Sequence, residues 1–203
     1  IISPPYGNFN WKVPTNVASQ NVYLVIYDPA DTDAKQVSVK VKIAGIINID
    51  EPDNYNEGTS QAETDRWGVG TNRWIRWTLI GPVPLVRIQY TKDITAGSPV
   101  WLNPQSLDCL DTAGYVETTG TDLAYQWVGI PACAVTSKAA IRIYDALSNS
   151  GTDTVISPQF KIVGTFQVTN PPANDLLLTT GTSGTINNPQ RQIQWATNGS
   201  VAK

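Results

Sequence analysis

The 203 residues carry 14 basic and 17 acidic side chains, a net charge of −3, with 41% hydrophobic but only 15% charged residues. That balance excludes a basic nucleic-acid footprint, and no stretch reaches the roughly 20 apolar residues of a membrane-spanning helix. Histidine is absent, which removes the commonest general base near neutral pH. Fifteen glycines and 14 prolines, mostly set between short β-branched and aromatic runs, argue for strands and turns over helices. Methionine is absent too, so a chain opening at Ile1 reads as an excerpt or a processed product.

Taken in chain order, alternation marks the strands. Ile47 and Ile49 open the first complete set. In Arg73–Thr78, Ile75 and Trp77 share one face, leaving Trp74 and Arg76 on the other. Val86, Ile88 and Tyr90 alternate with Arg87 and Gln89, and Val100–Leu102 makes a short strand. Tyr125 pairs with Trp127, Ile141 with Ile143, and Phe160 with Ile162. About seven short strands separated by Gly, Pro, Asn and Asp predict two antiparallel sheets packed face to face. The predicted core is Ile75, Trp77, Ile88, Tyr125, Trp127, Ile143 and Phe160, joined by Trp11 and Trp195 on the repeat described next.

The chain repeats itself. Val25-Ile26-Tyr27-Asp28 returns as Arg142-Ile143-Tyr144-Asp145, a shift of 117. Lys42-Ile43-Ala44-Gly45 returns as Lys161-Ile162-Val163-Gly164, and Ile47–Pro52 as Phe166–Pro171, both at 119. Arg73-Trp74-Ile75-Arg76-Trp77 returns as Arg191-Gln192-Ile193-Gln194-Trp195 at 118, and Phe9–Pro14 resembles Tyr125–Pro131 with one residue added. The phase gives one complete unit, 46–164, between the last part of a unit in 1–45 and the first part of another in 165–203. The fold class expected is therefore all-β, Ig-like β-sandwich modules in tandem, one complete module flanked by two partial ones. An alternative has the two partial units completing each other by strand donation. Junctions of about three residues with no Gly/Ser linker predict a semi-rigid rod.

Ordered motifs run through the complete unit: I-x-x-P (Ile49–Pro52), W-x-x-G (Trp67–Gly70), I-x-W-T (Ile75–Thr78), V-x-I-x-Y (Val86–Tyr90) and Y-x-W-x-x-x-P (Tyr125–Pro131). A-x-I-R-I-x-D (Ala139–Asp145) and S-x-x-F-x-I (Ser157–Ile162) follow. The pattern resembles the Ig-like domain of the Ser/Thr-rich, glycolipid-anchored (Kre/Knh-like) fungal cell-wall proteins, similar modules of which occur in tandem in giant prokaryotic surface proteins. It departs from that family in a long insert, Pro104–Asp122, and in the extra residue of Trp127–Pro131. The resemblance implies an extracellular or cell-surface, non-catalytic role with no catalytic residues to carry over. Its motifs are mostly core positions, which specify fold better than function.

Cys109 and Cys133, the only cysteines, would form a disulfide worth about 3 kcal/mol in a surface protein; two buried thiols are the alternative. Asp28, Asp31 and Asp33, like the acidic run Asp50–Glu57, offer oxygens to calcium, but neither follows an EF-hand loop, and solvated turns are the default. No other cofactor is expected. Trp74 and Trp101, with Trp67, offer an aromatic platform for glycans or a contact surface, with Arg76 and Arg87 nearby. Asn198-Gly199-Ser200 fits the N-glycosylation pattern. There is no G-x-S-x-G elbow, phosphate loop or Cys/His pair; Asp108 and Asp111 are the one carboxylate pair weighed for glycoside chemistry. The expected function is a structural module of an S-layer, sheath, filament or stalk, its partners being neighbouring modules and laterally associated copies. An adhesin or carbohydrate-binding module on such an array is the alternative.

Overall fold

A computed structural model describes residues 8–53, 66–147, 153–170 and 193–200. The protein is all-β. Four strands precede the central unit: β1 (Ser19–Val22), β2 (Val25–Asp28), β3 (Asp31–Val37) and β4 (Val41–Ile43). The unit itself contains β5 (Ile46–Glu51), β6 (Arg66–Gly68), β7 (Arg73–Ile80), β8 (Leu85–Thr91), β9 (Trp101–Leu102), β10 (Val116–Thr119), β11 (Ala124–Trp127), β12 (Thr136–Asp145), β13 (Thr154–Ile156) and β14 (Phe160–Val163). Then come β15 (Thr165–Asn170) and β16 (Gln194–Asn198).

Two sheets make the central unit. The smaller runs β11-β7-β5 and the larger β10-β8-β12-β14-β6, with β9 added beside β8 and β13 beside β12. Pairing is antiparallel except for β6, which runs parallel to β14 with Arg66, Trp67 and Gly68 opposite Lys161, Ile162 and Val163. Strand period explains which side chains go inside. On β7, Ile75 and Trp77 are buried while Trp74 and Arg76 are exposed. On β8 and β12 the inward set is Val86, Ile88, Tyr90, Ala139, Ile141 and Ile143. These residues, with Ile47, Trp127, Phe160 and Ile162, form one cluster between the two sheets. Tyr125 is half-buried at its margin.

Rings fill the middle of that cluster. Trp67 lies 4.5 Å from Phe160 and meets Trp127 edge to face at 6.2 Å, while Tyr90 sits 4.7 Å from Trp127. Trp67 is thus a core residue, not part of an exposed platform: β6 is short and turned inward at its centre, a placement the W-x-x-G spacing did not convey. Within the central unit the sequence pattern does not show three strands, β6, β10 and β13, and before it β1 and β3 are likewise unmarked. β10 lies within the Pro104–Asp122 insert and pairs with β8.

Hydrogen-bond register repeats along the chain. In β1–β4 the partners are Ser19–Ile43 and Val22–Val41 with an irregularity between them; in β12–β14 they are Thr136–Ile162 and Ala139–Phe160, with the same irregularity. Val25–Val37, Ile26–Gln36 and Tyr27–Lys35 become Arg142–Ile156, Ile143–Val155 and Tyr144–Thr154. Ile49–Trp77 and Glu51–Arg76 become Val168–Trp195 and Asn170–Gln194, again with one shift between them. The shifts are those of the sequence matches.

Trp11 and Trp195 depart from expectation. Trp195 pairs with Val168 as Trp77 pairs with Ile49, yet it is 59% exposed, and Trp11 is 45% exposed. The β15–β16 ladder has no second sheet over it among the described residues, and neither does the segment around Trp11. A strand partner alone buries one edge of a ring and leaves its face in water.

Candidate functional site

The four residues proposed as one contact surface lie on opposite faces. Trp74 and Arg76 stand on the outer face of the smaller sheet. The Arg76 guanidinium is 5.9 Å from the Trp74 ring centre and bonds Glu51 at 2.9 Å. Arg76 is exposed and Glu51 half-buried at the surface, so the pair contributes little stability, and 43% of Trp74 remains open to solvent.

Arg87 and Trp101 belong to the outer face of the larger sheet, where β8, β9, β10 and β12 bring a ladder of cations and rings together. Arg87 donates to Glu117 at 2.8 Å and lies 4.1 Å over Tyr115. The Glu117 hydrogen bond holds its guanidinium more firmly protonated than usual. Arg142 stacks 4.4 Å from Trp101 and 5.5 Å from Tyr144, and bonds the buried Gln89 at 2.9 Å. Burial pulls the Arg142 pKa downward. Gln89 completes the chain by donating to the Gly114 carbonyl at 2.7 Å. Arg142, Tyr144, Tyr115 and Gln89 were not picked out from the sequence. Alternation around Ile141 and Ile143 placed Arg142 and Tyr144 outward, but their meeting with Trp101 depends on β12 lying beside β8, which no local pattern encodes. One face of Trp101 is occupied by the guanidinium, so that side offers no platform for a sugar ring.

At one end of the unit, Cys109 and Cys133 form a disulfide with Cα atoms 6.0 Å apart. Cys109 belongs to the core cluster, and Cys133 packs against it. The bridge pins the insert to the connection between β11 and β12. Beside it an open groove of about 340 Å³ is lined by Thr91, Val100, Leu102, Cys109 and Leu110, among others. The insert is also braced from within. Asp111 accepts from Asn103 Nδ2 at 3.0 Å and from the Gly114 and Ala113 amides at 2.7 and 3.2 Å. Asp108 accepts from Ser106 Oγ at 2.7 Å and the Leu110 amide at 3.1 Å. These bonds lower both carboxyl pKa values, led by Asn103 for Asp111 and Ser106 for Asp108. Both side chains are engaged in building the loop.

Asp28, Asp31 and Asp33 are exposed on and around the β2–β3 turn. Asp28 accepts from the Ala30 amide at 2.9 Å and Asp31 from the Asp33 amide at 3.2 Å, a turn-building use of carboxylates. Among the described residues no group of three or more acidic or cysteine side chains is arranged to hold a metal ion. Asn198 ends β16 in an exposed position opposite Thr165. No helix among the described residues is long and apolar enough to cross a membrane. No protein-family model matches the chain, and no curated protein matches it.

Proposed function

We propose that the chain is a non-catalytic structural segment of a long repetitive extracellular or cell-surface protein, built from tandem Ig-like modules. In this reading 46–164 is one whole module, 1–45 the end of the preceding one and 165–203 the start of the next. The observation that carries it is the recurrence of three pairing ladders, two of them with their irregularities, at the spacing of the sequence repeat. Recurrence of register is far more demanding than recurrence of residues, because a one-residue slip would turn every side chain to the other face.

Strand order supports the Ig-like assignment. Assigning β5, β7 and β11 as strands A, B and E, and β8, β12 and β14 as C, F and G, reproduces an A-B-E sheet facing a C-F-G sheet, with β10 added beside C. The disulfide favours an oxidising, extracellular setting. The cell-wall resemblance points the same way, toward a sheath, filament, stalk or S-layer whose partners are adjacent modules and laterally packed copies. The mass and repeat number of the native polypeptide test the proposal, together with folding of an isolated 46–164 fragment. A parent holding one unit, or a fragment that does not melt cooperatively, overturns it. The recognition alternative rests on the open ring of Trp74, and glycan affinity lost in Trp74→Ala would favour it.

A further inference from the structure

Both boundaries of the central unit are short: Ala44 and Gly45 separate β4 from β5, and Gly164 alone separates β14 from β15. At each, a glycine in the left-handed region lies beside that junction glycine, with space for about one carbon atom between them. A Cβ placed on Gly81, at φ +86°, would lie 3.4 Å from Gly45 Cα and 3.3 Å from the Thr15 carbonyl. A Cβ placed on Gly199, at φ +81°, would lie 3.4 Å from Gly164 Cα and 2.9 Å from Val135 Cγ2. Gly81 and Gly199 follow the equivalent strands β7 and β16, Gly45 and Gly164 the equivalent strands β4 and β14. Thr15 and Val135 come from the matching connections ahead of β1 and β12. The contact is therefore the same one made twice, 118 or 119 residues apart.

Other contacts lock each copy. A side chain on Gly45 would come within 2.5 Å of Val83 Cγ2 and 3.0 Å of the Pro82 carbonyl, so the first junction closes only on hydrogen. Lys42 of β4 pairs with Asp153 of the central unit. At the second junction Thr165 Oγ1 donates to the Val69 carbonyl at 3.1 Å, and Gly68 and Gly70 would bring a Cβ within 2.8 Å of Thr165 and Asn198.

We infer that each module presents a docking surface for the next module of the same chain, a glycine-on-glycine junction that sets one fixed rotation between neighbours. The inference rests on the modular reading and adds the partner and the geometry. Linked domains move relative to one another by default unless their interface opposes it; here the close approaches of Gly45 to Val83 and Pro82 and of Gly199 to Val135, with the flanking bonds, oppose it, and repetition of one rotation makes a rod of constant twist.

Double electron–electron resonance on the full chain tests this, with nitroxides at Val39→Cys and Val128→Cys for the first junction and at Val128→Cys and Val168→Cys for the second. All three sites are exposed. A single narrow distance distribution is expected at both junctions. Gly45→Ala should roughly double the width, or displace the peak, at the first junction only, and Gly199→Ala at the second only. Gly97→Ala, where a Cβ meets nothing within 4 Å, should change neither. A broad wild-type distribution at either junction overturns the inference without any variant, as do narrow, unshifted distributions in both glycine variants. A cooperative melt of 46–164 in those same samples leaves the modular reading standing, so the two failures are told apart.

Discussion

Trp77 and Trp195 occupy the same register position in two copies of one ladder, opposite Ile49 and Val168. Their surroundings differ: Trp77 is 1% exposed and donates its indole N–H to the Gly120 carbonyl at 3.4 Å, whereas Trp195 is 59% exposed. A buried indole removes about 200 Å² from water, worth about 5 kcal/mol at ~25 cal/mol per Å². Truncation to alanine keeps part of that burial and leaves a cavity, so Trp77→Ala is expected to cost about 3–5 kcal/mol. For a unit of this size each kcal/mol moves the melting point by about 3–5 °C, giving a drop of roughly 10–25 °C. Trp195→Ala should cost less than about 1 kcal/mol of stability, since it opens no cavity. Differential scanning calorimetry of both variants in the 203-residue chain measures the contrast. Equal losses, or a near-native melt for Trp77→Ala, would refute the argument that the facing sheet, not the strand pairing, buries the ring.

Further expectations concern the disulfide and the titrating groups. Replacing Cys109 and Cys133 together by serine should lower the stability of the central unit by about 3 kcal/mol, read from denaturant midpoints with and without reductant; insensitivity of the wild type to reductant would count against the bridge. Tyr90 Oη is buried without a hydrogen-bond partner among the described residues, so Tyr90→Phe should be neutral or stabilising by about 1 kcal/mol, read as a raised melting point. Burial, with a smaller push from Asp108, raises the Tyr90 pKa to about 12. The unfolded phenol ionises near 10, so wild-type stability should fall as pH rises from about 10 to 12 and the Phe variant should lack that part of the fall. Asp93, Asp108, Asp111 and Asp122 all have depressed pKa values, with side-chain hydrogen bonds from Thr95, Ser106, Asn103 and Thr118 as the leading causes. Their stabilisation is present above the ordinary carboxylate range and is lost as pH falls through the lowered values. Asp111→Asn should therefore flatten the acid limb of a stability–pH curve, and an unchanged limb would show that Asp111 is not coupled to folding.

The inward set on β7, β8 and β12 was legible because alternation is a local property: Ile75, Trp77, Ile88 and Ile143 stand where period-two spacing put them. Trp67 was not, because three residues of β6 are too few to show a period and its burial comes from a parallel partner far along the chain. Trp11 and Trp195 fail for a related reason. Repetition predicts register faithfully, but burial depends on a second layer that a ladder does not carry with it. On the outer faces, the sequence placed Trp74 beside Arg76 but could not say that Trp101 stands on a different sheet, next to Arg142, since neighbourhood across strands is decided by topology.

The parallel pairing of β6 with β14 bears on how such a segment would behave under tension. A pull transmitted along the chain enters at β5 and leaves through Val163; once β5 yields from β7, β6 and β14 are drawn in opposite directions along their common axis. The bonds of this ladder, whose register partners run from Arg66–Lys161 to Gly68–Val163, are then loaded side by side in shear instead of being peeled one after another. Resistance to extension is governed by the barrier to unfolding rather than by equilibrium stability, and a ladder that must give way all at once sets that barrier high. A thread of these units would act as a tether that stretches only in discrete, forceful steps.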